Sequence, residues 1–193
     1  MEKNHKTSKK QISNILFAVS IVAFVATIVI GLTNLSQGDD VTLSPSERID
    51  VDRILEEVSQ QIEVAGFTPE SLERAEVIYN SAIVAAQEQG NDRALFRLTL
   101  VRSQFFMAST QTNRAMEELR SLRDRASNDD ERVRVDIAIF DIYYHLWGDE
   151  EAGILWLAQM EREFAGANFN NEEYREEFEA LKYTFLGANR SEG

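Results

Sequence analysis

The sequence predicts an all-α protein: a single transmembrane helix, then an α-solenoid of about three helix hairpins and a C-terminal capping helix. Three observations carry this. The stretch Ile15 to Leu32 runs 18 residues without a charge. Beyond it, apolar residues recur at the helical period in successive segments, each bounded by capping signals. No run of β-branched residues alternates apolar and polar between turns, so no sheet is expected.

The predicted division is a basic cytoplasmic tail at 1–14, a transmembrane helix at 15–33, a linker at 34–44, a helical domain at 45–187 and a flexible tail at 188–193. At 1.5 Å per residue the charge-free stretch spans roughly 27 Å, close to the hydrocarbon thickness of a bilayer. A cleaved signal has a shorter apolar core and a small-x-small site, which Thr33-Asn34-Leu35-Ser36-Gln37 does not supply. A lipoprotein signal needs a cysteine, and the chain has none. The segment therefore reads as an uncleaved signal anchor.

Lys3, Lys6, Lys9 and Lys10 precede the span against the single acid Glu2; sixteen basic and thirty-two acidic residues follow it. The positive-inside rule puts the N-terminus in the cytoplasm and the acidic domain outside, on a plasma (inner) membrane of bacterial type. Ser20, Ala23, Thr27 and Gly31 form a stripe of small residues along the span, either a packing face for a partner helix or the ordinary small-residue content of membrane helices.

The helices follow in order. The first, 45–65, opens on Ser44-Pro45-Ser46-Glu47, a cap with proline at the first helical position, and carries Val51, Leu55, Val58 and Ile62 on one face. The second, 69–89, opens on Thr68-Pro69 and carries Ala75, Ile78, Tyr79, Ala82, Ile83 and Ala86. The third, 92–108, is apolar around much of its circumference. The fourth, 113–126, has a narrow stripe of Ala115, Leu119, Leu122 and Ala126. The fifth, 130–147, is apolar on two faces. The sixth, 149–164, carries Ala152, Leu155, Trp156 and Met160, and the seventh, 171–186, carries Tyr174, Phe178, Leu181 and Phe185. Gly66, Gly90, Gly148 and Gly166 stand where C-terminal caps belong. Broad stripes alternate with narrow ones, as in stacked hairpins whose inner helices touch neighbours on two sides.

Composition and motifs exclude much. A net charge of −13 opposes nucleic-acid binding, which needs clustered Lys and Arg, and keeps the domain off anionic lipid heads. Without cysteine there is no disulfide or thiolate metal site. The two histidines are His5 and His145, and no H-E-x-x-H, G-x-S-x-G, calcium loop or glycine-rich phosphate loop occurs. Asp141 and His145 are i and i+4 on one helix, a structural pair. Acid clusters such as Asp129-Asp130-Glu131 begin helices, where the dipole favours them. The expectation is a non-enzymatic protein with no cofactor, no metal and no evident small-molecule substrate. Its partners would be a lipid bilayer, through residues 15–33, and protein.

The outer helices align on a small residue followed by a larger one. These are Ala75-x3-Tyr79, Ala115-x3-Leu119 and Ala152-x3-Trp156, with the alanines 40 and 37 residues apart. The last hairpin, IFDIYYHLWGDEEAGILWL, resembles a tetratricopeptide repeat, with Tyr144, Gly148, Ala152 and Trp156 near that family's tyrosine, turn glycine, alanine and large apolar positions. The turn is a residue short, and Arg102 and Asp141 stand where the family has a small residue. The periods are also longer than the family's. These two opposite charges, one repeat apart, either face each other and pair across the interface or are both exposed.

The resemblance implies protein binding on a concave surface lined by the inner helices. By position that groove comprises Phe96, Leu100, Ser103, Phe106, Met107, Val135, Ile139, Ile142, His145 and Leu146. The competing reading packs these residues against the chain's own helices. In layout the chain resembles bacterial ancillary translocon subunits. The expected role is a membrane-anchored extracytoplasmic scaffold for a protein partner. The alternative is an accessory structural subunit of a membrane complex, held chiefly through its transmembrane helix.

Overall fold

The computed structural model describes residues 50–187. The anchor at 15–33, with Ser20, Ala23, Thr27 and Gly31, the linker, and the tail at 188–193 lie outside them. No helix among the described residues is long and apolar enough to cross a membrane.

The described residues form seven helices and no strand. They are α1 (Val51–Ala65), α2 (Pro69–Glu88), α3 (Asp92–Ala108), α4 (Thr112–Arg125), α5 (Asp129–Asp141), α6 (Glu150–Glu163) and α7 (Glu172–Lys182). α5 continues as a π-helical turn, Ile142–Leu146, and α7 as another, Tyr183–Gly187. α1 starts at Val51, where the Asp50 side chain accepts the N–H of Arg53 and caps the helix; the expected opening at 44–47 lies outside the described residues.

Local chemistry explains the other boundaries. Thr68 and Ser71 form a reciprocal capping box that spans Pro69. Asn91, Asn128, Asp149 and Asn171 each accept backbone N–H groups in the first turn of the following helix. At Gly66 and Gly148 the chain takes φ of 67° and 66°, which an L side chain resists. Between α3 and α4 no glycine is present, and Thr110 adopts φ 63° instead.

Packing is close to linear. The helix pairs in substantial contact are adjacent or next-but-one in sequence: α1 meets α3 and α5 meets α7, and neither α1 nor α2 is in substantial contact with α6 or α7. One core joins α1 to α5 through Tyr79, Val101, Phe106, Leu119, Leu122, Val135 and Ile139. A second joins α5, α6 and α7 through Val133, Ile137, Phe140, Leu157, Met160, Tyr174 and Phe178. A third, smaller one clusters Val51, Ile83, Ala86 and Leu98. α5 supplies both larger cores from opposite stripes, and α3 likewise supplies two. The broad apolar surfaces of these two helices are thus consumed on both sides.

The sixth helix presents a different edge from the expected one. Met160 is buried as expected, but Leu155 is exposed, and Gly153 and Leu157 are buried in its place. A Cβ added to Gly153 would lie 2.9 Å from the Cβ of Tyr144, so this glycine permits α6 to approach the π-helical end of α5.

Candidate functional site

The ten groove positions separate into two sets. Leu100, Ser103, Phe106, Met107, Val135, Ile139 and Ile142 are interior; Phe106 is 1 % exposed and Ile142 fully buried. They interlock with Tyr79 of α2 and Met116, Leu119 and Leu122 of α4. Phe96 and Leu146 are half-buried at the edge of that core, and His145 is exposed. The inner helices are covered because α4 lies against α3 on one side and α5 on the other.

Arg102 does not meet Asp141. Its guanidinium pairs with Glu118 of α4 at 2.7 Å and donates to Asn80 of α2. Ser103 Oγ lies 3.0 Å from the same Glu118 carboxylate. A large charged side chain is tolerated at this position because it extends sideways to α4. Arg114 sits over the Phe106 ring at 4.1 Å and pairs with Glu76 at 2.6 Å, which holds the Glu76 carboxyl below its ordinary range.

A second polar cluster ties α4, α5 and α6 together. Arg123 Nε donates to Asp136 Oδ1 at 2.6 Å, and the same guanidinium pairs with Glu163. It also lies 5.4 Å from the Trp156 ring. Trp156 Nε1 donates to the Asp136 carbonyl at 3.0 Å. Asp136 is fully buried and its Oδ2 has no hydrogen-bond partner. Burial pushes its carboxyl up to about 6, against Arg123. No signal in the sequence marks Asp136, since its partners stand 13 to 27 residues away.

Accessible aromatic surface gathers where α5 turns into α6. Trp147 is 42 % exposed and meets the Tyr143 ring edge-on at 5.4 Å. Tyr143 in turn lies 6.1 Å from Trp156, and its hydroxyl accepts from Arg120 at 3.0 Å. The π-helical turn, closed by Trp147 N–H to Ile142 C=O at 2.8 Å, places an extra residue in this part of the helix. His145 lies 3.9 Å from Asp141, and burial lowers its pKa. It has no second acid–base partner of catalytic geometry here.

A shallow cleft of about 400 Å³ between α1 and α2 is lined by Gln61, Glu73, Arg74, Val77 and Ile78. It offers neither a nucleophile nor a metal set, and among the described residues no group of three or more metal-ligating side chains converges. No family model, characterised protein or solved structure matches the chain.

Proposed function

We propose that the protein is a membrane-anchored extracytoplasmic scaffold, built as a divergent tetratricopeptide-like stack, that binds a protein partner. The observation that carries this reading is a repeated ion pairing between alternate helices. Asp52 pairs with Arg97, Glu76 with Arg114, Arg123 with Glu163 and Arg134 with Glu177, at separations of 45, 38, 40 and 43 residues. These bridge α1 to α3, α2 to α4, α4 to α6 and α5 to α7. Their spacing lies close to the 40- and 37-residue recurrence of Ala75, Ala115 and Ala152. A stack of similar units generates such pairs, because equivalent positions in successive units become neighbours.

The anchoring half of the reading rests on the charge-free Ile15 to Leu32 stretch and the flanking lysines. With most of the inner face occupied by the core, the accessible aromatic cluster of Trp147 and Tyr143 is the surface assigned to the partner; such side chains dominate binding energy at interfaces. The small-residue stripe along the anchor supports the second reading, an accessory subunit held through its transmembrane helix.

The test is co-purification of the full chain from membranes after cross-linking, with mass spectrometry of what is captured. A scaffold yields a partner whose recovery falls when Trp147 is replaced by alanine. A subunit yields a stoichiometric complex that survives Trp147→Ala and is lost when Ala23 and Gly31 are made leucine. Recovery of the chain in the soluble fraction after carbonate washing overturns both.

A further inference from the structure

The outer face of α2 carries a stripe that the described fold leaves uncovered. Ala75, Tyr79, Ala82, Ile83 and Ala86 form the buried face of the helix. On the opposite side, at roughly 100° per residue, fall Glu70, Arg74, Val77, Ser81, Val84 and Glu88. Their spacing alternates four and three residues, which keeps them in one line along the helix. All six are exposed. Val77 is 59 % and Val84 50 % exposed, and no other helix among the described residues exposes two large apolar side chains. Valine is a poorer helix former than alanine, so valines on this face weaken α2 taken alone.

Charge on the same stripe is unmatched. On the flank of α2 toward α4, Glu76 pairs with Arg114, and Asn80 accepts from Arg102. On the stripe, among the described residues, Arg74 has no carboxylate partner and Glu88 no cationic one. Ser81 stands midway between them, seven residues from each, roughly 10.5 Å along the axis. Val77 and Val84 flank it at four and three residues. A two-fold axis through Ser81 therefore lays Arg74 against Glu88, Val77 against Val84 and Ser81 against itself, in two antiparallel copies of the helix. A parallel pair sets Arg74 against Arg74 and Glu88 against Glu88, which like-charge repulsion opposes.

We propose that this stripe is a self-complementary interface: α2 pairs with α2 of a second copy of the chain, antiparallel about Ser81. The charge pattern selects the occupant, because the face presents both signs at equal distances from its centre and so completes itself. The short side chain of Ser81 at the crossing lets the two helices approach closely. Arg74 and Val77 also border the shallow cleft beside α1, so the surface is indented next to the crossing. Two valines per copy make a small apolar centre, and the dimer is accordingly a weak one, at the low end of interface size. The stripe lies on α2 and the aromatic cluster at the end of α5, so the two surfaces are separate. The inference needs neither the anchor nor the partner of the proposed function.

Cysteine cross-linking tests it, because the natural chain has no cysteine to interfere. The full chain carrying Ser81→Cys, or Ser121→Cys at an exposed position of α4 as the control, is oxidised with copper–phenanthroline in a detergent-treated extract. Products are separated without reductant and identified by mass spectrometry. The expected result is a disulfide-linked pair of chains that forms about tenfold faster or more with Ser81→Cys, since the two-fold axis brings those side chains within bonding reach. Adding Arg74→Glu should slow the linking by about tenfold, and adding Glu88→Arg as well should restore it, because the reversed charges match again. Positions 74, 81 and 88 are exposed, so these variants keep the fold. Equal linking of Ser81→Cys and Ser121→Cys overturns the proposal, and is what pairing through residues 15–33 alone would give. Linking that Arg74→Glu does not slow, or that Glu88→Arg does not restore, also overturns it. An adduct of the Ser81→Cys chain with a different protein assigns the stripe to that protein and overturns the second copy.

Discussion

Arg123 on α4 holds the fully buried carboxylate of Asp136 on α5, Nε to Oδ1 at 2.6 Å, while the second carboxylate oxygen meets no donor. A buried charge with one partner is costly to orphan. Arg123→Ala should destabilise the domain by roughly 3–5 kcal/mol, because it leaves the carboxylate alone in the interior. Arg123→Ala combined with Asp136→Asn should cost less than the sum of the two. Denaturant melts of the four members of this cycle measure it.

Asp136 also sets a pH dependence. Its folded pKa of about 6 lies above the ordinary 3.8, so it binds protons more readily in the folded state. That contribution is fully present below pH 3.8 and is lost as pH rises through about 6. Lowering pH from 7 to 5 should therefore strengthen folding by about 1 kcal/mol through this group. Asp136→Asn should flatten that part of the profile, read from melting midpoints in urea at several pH values.

Arg102 and Glu118, paired at 2.7 Å, should show coupling of roughly 0.5–3 kcal/mol in a double-mutant cycle. Arg102 and Asp141 should be additive, since each is engaged elsewhere. Coupling between the latter two would contradict the arrangement of α3, α4 and α5.

Phe106→Asp and Ile142→Asp should both collapse the fold. Each places a charge at an interior position of the larger core, and several kcal/mol of desolvation has nothing to offset it. Phe105 packs beside the Phe106 ring, and Arg102 and Arg114 lie over it. Leu155→Asp, at an exposed position, should stay within about 0.5 kcal/mol of the natural protein. Thermal melts of the three, expressed as residues 44–193, make the comparison.

Gly153→Ala should destabilise by roughly 1–3 kcal/mol, because the added methyl meets the Cβ and Cα of Tyr144 and those atoms cannot swing aside. Tyr144→Ala in the same chain should recover only part of that loss, since the main chain of α5 still stands opposite. Chemical denaturation of the single and double variants checks both statements.

Much of the fold was legible in the residues because its causes are local. Thr68, Pro69 and Ser71 start α2 through contacts within a few residues, and Gly66 and Gly148 end helices by their own backbone freedom. The stripe from Ala75 to Ala86 follows from helical geometry alone. The broad stripes of α3 and α5 announced two-sided burial for the same reason. Which surfaces meet was another matter. Arg102 chose Glu118 over Asp141, Leu155 turned outward in favour of Leu157, and Asp136 found Arg123, through separations that local periodicity does not encode. The apolar inner face became interior because α4 covers it from both flanks, and that depends on how several helices share one volume. Caps and periods act within a turn or two of chain. Burial, pairing and the pKa values that follow are decided only when separate helices come to share the same dielectric.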